Sequence, residues 1–150
     1  MLSQWVGHLT ISTGEEGFTD ITPQLQRQLA RSGLDTGIAS LSCLHTSCSL
    51  TINENADPRV LADLQTFARA VAPAEGVRSL SGTGERRAWR HDDEGPDDMP
   101  AHIRTALTAT SLQLSVQGGR LLLGTWQAVY LWEHRARGQH RRLSLHLIGA

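Results

Sequence analysis

The sequence predicts an α+β domain with an antiparallel, β-sandwich-like core and about three helices. Three observations carry this. Six stretches read as strands, only about three have the helical period, and the two kinds do not alternate as βαβ units would. At 150 residues the chain fits one domain, 1–150. That is long enough to bury a core without disulfides or a structural metal.

The segment "WVGHLTIS" alternates loosely and predicts a first strand. "DITPQLQRQLARSG" predicts a helix, with Thr22 as N-cap, Pro23 at the first helical position and Gly33 at the exit. "GIASLSCLHTSCSLTIN" is a longer β pattern whose apolar phase changes near Cys43–His45. Leu41 and Cys43 share one parity; Leu44, Cys48, Leu50 and Ile52 share the other. Such a change predicts a bulge or a sharp bend, with His45 at the break.

"DPRVLADLQTFARAV" predicts a helix with Asp57 as cap and Pro58 in its first turn. Val60, Leu64, Phe67, Ala68 and Val71 share one face of it. The Gly- and Ser-rich region 73–90 predicts a loop with a short strand near Trp89. Pro100 is expected to open a short helix through about Ala109. "SLQLSV", "RLLLGT", "WQAVYLWEH" and "RRLSLHLI" predict four closing strands.

Lys+Arg 14 against Asp+Glu 15 gives a net charge of -1. That argues against nucleic-acid or membrane partners. The cations are arginines, suited to bidentate recognition of phosphate or carboxylate, although a GC-rich genome gives the same bias. No basic-then-apolar leader and no apolar run near about 18 residues occurs, so a cytoplasmic location is expected. Cys43 and Cys48 read as free thiols packed as small apolar residues, with a redox or ligand role as the alternative.

Three windows hold residues suited to chemistry. In "HTSCSLTINENADP" a histidine at a strand bend, His45, can present an imidazole to a metal or reacting group. Asn53 and Glu54 precede a helix N-terminus, which is an anion site; the plain alternative is a capping loop. In "HDDEGPDDMPAH" His91 and His102 lie eleven residues apart, too far for a helical pair. A returning loop brings them together as metal ligands, with Asp97 and Asp98 orienting the imidazoles or helping to hold magnesium on a phosphate. The alternative is a solvated acidic loop.

In "GTWQAVYLWEHR" Trp126 and Gln127 suit a pocket wall and Arg135 suits a phosphate. The alternative there is a core strand with solvated charges. Val129, Leu131 and Glu133 share one face of it; Ala128, Tyr130, Trp132 and His134 share the other. His8, His134, His140 and His146 read as structural or exposed. No Ser-His-Asp signature and no Gly-rich phosphate loop is present.

Together and in this order, the three windows resemble the YjbQ-like family, also called the secondary thiamine-phosphate synthase family. The resemblance runs from the early strand to "RRLSLHLIG". It implies a small α+β homotrimer with a β-sandwich-like core and a divalent metal held by His45, His91 and His102. Zinc is expected, with magnesium possible beside a phosphate substrate.

The family's "NE", "DP" and "GTWQ" elements map onto Asn53, Glu54, Asp57, Pro58, Gly124, Thr125, Trp126 and Gln127, and its later acidic position onto Glu133. Glu54, Glu133 and Asp98 are then the expected catalytic carboxylates. Thr46, Ser47, Asn53, Trp126, Gln127 and Arg135 are the expected substrate-binding residues, with Arg104 a weaker phosphate candidate. The implied reaction is a weak condensation of hydroxymethylpyrimidine diphosphate with a thiazole phosphate, releasing pyrophosphate. The alternatives are metal-dependent hydrolysis of a phosphoester or amide with Glu54 as base, and a trimer that binds a metabolite or metal without turnover. Cys48 departs from the smaller residue, such as Ala, expected at its position.

Overall fold

The structure, a computed structural model, describes residues 1–79 and 82–150. β1 (Ser3–Ser12) and β2 (Glu15–Asp20) lead into α1 (Thr22–Ser32); β3 (Gly37–Cys43) and β4 (Cys48–Glu54) lead into α2 (Pro58–Val71). A two-residue hairpin, β5 (Val77–Arg78) and β6 (Arg86–Arg87), precedes α3 (Asp98–Leu107). β7 (Ser111–Gln117), β8 (Arg120–Leu121), β9 (Gln127–Arg137) and β10 (His140–Gly149) close the chain.

Two antiparallel sheets form the sandwich. One has the order β1-β10-β3-β7-β8 and the other β2-β9-β4. Leu41, Leu143, Leu145 and Leu147 from the first meet Leu50, Val129 and Leu131 from the second, and Leu25 and Leu29 of α1 join the same core. Leu131 and Leu143 are wholly buried, so truncating either to alanine costs roughly 2–5 kcal/mol. The α+β class with an antiparallel core and three helices is thus what the chain adopts, counted among the described residues.

Residues 128–134 of β9 are buried on both faces. Val129 and Leu131 face the sandwich core. On the other face Trp132 stacks on Phe18 of β2 at 4.4 Å between ring centroids, and its Nε1 donates to Gln65 of α2. Helices α2 and α3 therefore cover the outer face of the smaller sheet.

The phase change at Cys43–His45 is a corner. The chain leaves the larger sheet at Cys43, turns over residues 44–47 and enters the smaller sheet at Cys48. Gly33 closes α1 in the left-handed region (φ 70°), as expected of glycine there. Asp57 caps α2 by accepting from the Arg59 N–H at 3.0 Å.

Other expectations shift. Thr22 is the first residue of α1 rather than its cap, because its hydroxyl accepts from Val129 N–H of β9. α3 begins at Asp98, two residues before Pro100; proline is tolerated there because first-turn N–H groups have no helical acceptor. The "RLLLGT" strand ends at Leu121; Leu122 N–H still donates to Ser115 O of β7, and Leu123 N–H then turns back to Leu121 O. Trp89 lies outside the small hairpin and donates to Pro73 O at 2.8 Å. Leu80 and Ser81, part of the expected loop, lie outside the described residues.

On α2, Phe67 is 67% exposed and Val71 is exposed, while Gln65 and Ala68 are buried. The predicted apolar face is thus turned partly outward. With Leu64, Trp132 and Leu107, Phe67 and Val71 line an apolar groove of about 220 Å³. No described helix is long and apolar enough to cross a membrane.

Candidate functional site

Asp98 and His102 lie one turn apart on α3, and His91 reaches them from the loop before it. His91 Nε2 is 2.7 Å and His102 Nε2 3.3 Å from the same oxygen, Asp98 Oδ2. The three donor atoms lie within 4.8 Å of one another. Asp98 is 1% exposed, while the side chains of His91 and His102 are 47% and 29% exposed, so the group opens to solvent on the histidine side.

The turn at the sheet corner sets the tautomer of His102. Its Nδ1 lies 2.8 Å from Thr46 O, an acceptor only, so Nδ1 carries the proton. Nε2 then turns a lone pair toward a carboxylate. A second proton or a cation must lie between them to make that pairing favourable.

Asp98 is held from its other side by Arg135, whose Nη1 is 3.0 Å from Oδ1. Burial opposes ionisation of Asp98. The His91 hydrogen bond and the charges of His102 and Arg135 outweigh it, so the carboxyl lies below its usual range.

Arg135 also donates to Asp97 Oδ2 at 3.0 Å and to Glu94 O at 2.9 Å. The Ala136 N–H adds a 2.9 Å bond to Asp97. The loop carrying His91 is thus tied to the end of β9. Arg135, expected to hold substrate phosphate, instead holds Asp97 and Asp98. Arg104 is buried against the Ala68 and Ala72 carbonyls, which withdraws it from any phosphate role.

Glu133 corrects another expectation. It is fully buried, and both oxygens face Arg141; Thr13 Oγ1 and the Arg135 N–H supply further bonds. Burial raises its pKa, but these partners overcompensate and keep it ionised. With its acceptor sites filled, it has no lone pair to offer as a base. Ser47, expected to touch substrate, accepts at its hydroxyl from Arg141 Nη2 at 3.0 Å.

His45, expected as the third imidazole, stands outside the donor group. Its Nε2 accepts from the Arg142 N–H at 2.7 Å. Asp98 takes the place expected for it. Thr46 contributes its carbonyl rather than its side chain.

The remaining expected site residues lie elsewhere. Cys48 is paired with Glu133, whereas Glu54, six residues along β4, is paired with Gln127. At about 3.3 Å per residue the two ends of the β4–β9 pair are roughly 20 Å apart. At the far end Glu54 Oε2 accepts from the Ala56 and Asp57 N–H groups, and Asn53 Oδ1 from the Glu54 N–H. Gln127 Oε1 accepts from the Gly124 N–H, and Trp126 is 64% exposed. This geometry removes Glu54 as a base for the histidine group within one chain.

His134 is wholly buried, bonded through Nε2 to Ser49 Oγ at 2.8 Å, with no partner for Nδ1 among the described residues. Burial pushes its pKa down to about 3. His140 and His146 make side-chain bonds to Ser12 and Gln4, outside the donor group.

Sequence comparison finds a family model described as "UPF0047 protein YjbQ-like" that matches residues 7–150. A UPF0047 protein of Synechocystis sp. is 44% identical over 141 residues, covering 94% of this chain and 89% of that protein. A UPF0047 protein YjbQ of Salmonella typhimurium is 42% identical over 144 residues, covering 94% and 95%. The crystal structure of a conserved hypothetical protein from Thermus thermophilus superposes with a TM-score of 0.78 at 35% identity, covering 94% and 98% of the two chains.

Proposed function

This chain belongs to the YjbQ-like UPF0047 family, and from that premise we propose that it is a metal-dependent enzyme acting on a small phosphate-bearing molecule, with His91, Asp98 and His102 as ligands of a divalent cation. One observation carries the reading: three donors converge within 4.8 Å while the Thr46 carbonyl turns the His102 lone pair toward a buried carboxylate. Two imidazoles and one carboxylate suit zinc, with open positions left for substrate. Magnesium fits this nitrogen-rich set less well.

A cation there supplies Lewis acidity toward a phosphate oxygen. The chain's own residues prepare the place. Arg135 fixes Asp98, Thr46 fixes His102, and the loop from His91 to Asp97 forms one wall. A cleft of about 390 Å³ adjoins that wall, lined by Glu94, Asp97, Arg135, Arg137 and Gln139. Arg137, exposed at its edge, is the cation we assign to substrate phosphate.

The reaction we propose is the weak condensation of hydroxymethylpyrimidine diphosphate with a thiazole phosphate. In that reaction the thiazole nitrogen bonds the pyrimidine methylene as the bond from that carbon to the diphosphate oxygen breaks; Arg137 would meet the leaving pyrophosphate, and a cation held by His91, Asp98 and His102 would supply further positive charge. The assembly we propose is a homotrimer, the state the family resemblance implies; the outward apolar groove of α2 and α3 offers surface for subunit contact without setting the number of subunits. The donor set favours a second reading, hydrolysis of a phosphoester or amide, because two histidines and one carboxylate also serve hydrolytic zinc sites.

Metal analysis and pyrophosphate release test both readings in wild type, His91→Ala, Asp98→Asn and His102→Ala. Bound zinc that falls in all three variants, with pyrophosphate formed only when both co-substrates are present, supports the synthase. Turnover of one substrate with water supports hydrolysis. Unchanged zinc in all three variants removes the metal reading.

A further inference from the structure

The two cysteines sit on either side of the sheet corner. Cys43 is the last residue of β3 in the larger sheet, and Cys48 the first residue of β4 in the smaller. Their sulfurs are 3.0 Å apart. A disulfide bond measures about 2.05 Å, so closing the gap requires a movement of only about 1 Å. Burial accounts for Cys48, which is wholly inaccessible in the core. Cys43 is half-buried and packs against the edge of that core; packing alone does not call for its sulfur to lie on the other thiol.

We propose that Cys43 and Cys48 are a redox-modifiable dithiol whose disulfide clips the two sheets together at their corner. The proposal does not depend on the metal reading. We assign Cys43 as the attacking thiol because it is the more exposed of the two, half-buried against the fully buried Cys48.

The oxidant is a low-molecular-weight disulfide. Cys43 Sγ, having lost its proton, attacks one sulfur of the oxidant. The oxidant's S–S bond breaks, a mixed disulfide forms and one thiolate leaves. Cys48 Sγ then gives its proton to that thiolate and attacks Cys43 Sγ. The mixed disulfide breaks and the second thiolate leaves, taking up the proton Cys43 first lost. Two protein thiols are oxidised to one disulfide, and one small disulfide is reduced to two thiols.

The four residues enclosed, 44–47, anchor the turn at several points. His45 accepts from the Arg142 N–H, Thr46 O faces His102 Nδ1, and Ser47 O and Oγ accept from Arg141. Oxidation therefore stiffens the turn that fixes the His102 ring.

The test incubates the full-length protein with equal concentrations of reduced and oxidised glutathione, blocks free thiols under denaturing conditions, and analyses tryptic peptides by mass. Residues 32–59 contain no internal Arg or Lys, so one peptide carries both cysteines. We expect that peptide to lose two hydrogens and accept no blocking group, and dithiothreitol to restore both thiols. Cys48→Ala should stop at a glutathione adduct on Cys43. Amide exchange at 45–47 should slow severalfold in the oxidised wild type. Two blocked thiols in the wild type, a persistent glutathione adduct on wild-type Cys43, or unchanged exchange at 45–47 after oxidation would overturn the proposal.

Discussion

The two ends of the β4–β9 pair are built from similar residue types and do different work. At the Cys48–Glu133 end, charged side chains are buried and saturate one another: Glu133 with Arg141, and Asp98 with Arg135 and the two histidines. At the Glu54–Gln127 end, the polar groups bond nearby backbone and Trp126 stands in solvent. Buried charge fixes geometry at the first end, because every unpaired partner there pays full desolvation. Backbone shape and an open aromatic surface are what the second end provides. Motif membership alone does not separate these roles; burial and hydrogen-bond saturation do.

The largest effect should come from breaking the buried pair. Arg141→Ala strands Glu133 without its main partner and is expected to destabilise by about 3–5 kcal/mol. Glu54→Gln at the other end should lose about 1 kcal/mol or less. Urea unfolding of both variants checks the contrast, and equal losses would erase it.

Acid should also separate the ends. His134, on the charged side, has a folded-state pKa of about 3 against about 6.5 unfolded. Above pH about 6.5 it is neutral in both states and contributes no pH dependence. As pH falls below that, the unfolded chain binds a proton the folded chain refuses. Stability then declines by up to about 1.4 kcal/mol per pH unit until pH approaches the folded value. Glu133, with a lowered pKa, contributes stability above its unfolded value of about 4.3 and loses it as pH falls through the folded value. Denaturant midpoints across this range should show a shallower slope between pH about 6 and about 5 for His134→Gln.

Metal affinity gives the next contrast. Arg135→Ala frees Asp98 on one side and should weaken zinc binding about 10- to 100-fold. Gln127→Ala should leave it unchanged. Calorimetric titration with zinc measures both, and equal affinities for the two would show that Asp98 does not need Arg135 to hold its place. A similarly small effect is local to the open end: Asp57→Ala removes the α2 cap and should cost about 1 kcal/mol, read from the thermal midpoint.

Much of this was legible in the sequence. Asp57-Pro58 marked the start of α2, Gly33 the end of α1, and the phase change at Cys43 a sharp turn. What that turn does, crossing between sheets, depends on pairing partners far along the chain. β2 escaped notice because "EEGFTD" has one large apolar side chain and owes its strand form to the ladder with β9. Phe67 and Val71 carried a helical period whose outward direction periodicity does not specify.

At the site, two signals were present and unread. Asp98 and His102 are four apart, the spacing that aligns side chains on a helix. Arg141 shares strand parity with Leu143, Leu145 and Leu147, and Glu133 with Val129 and Leu131. A cation and an anion on facing apolar surfaces announce a buried pair. Glu133 is committed to Arg141, and among the described residues it is His91, Asp98 and His102 that converge.

The pairing of β1 with β10 sets Ser3 opposite Gly149, and β10 also pairs with β3. β10 is therefore inserted between two strands made much earlier. During synthesis, β1 and one edge of β3 wait unpaired until residues 140–149 leave the ribosome. A chain cut short before β10 has a larger sheet without the strand that joins β1 to β3, with two open edges ready to join other chains. Closure of that sheet pairs residues nearly a full chain length apart, which places this domain among the slow folders.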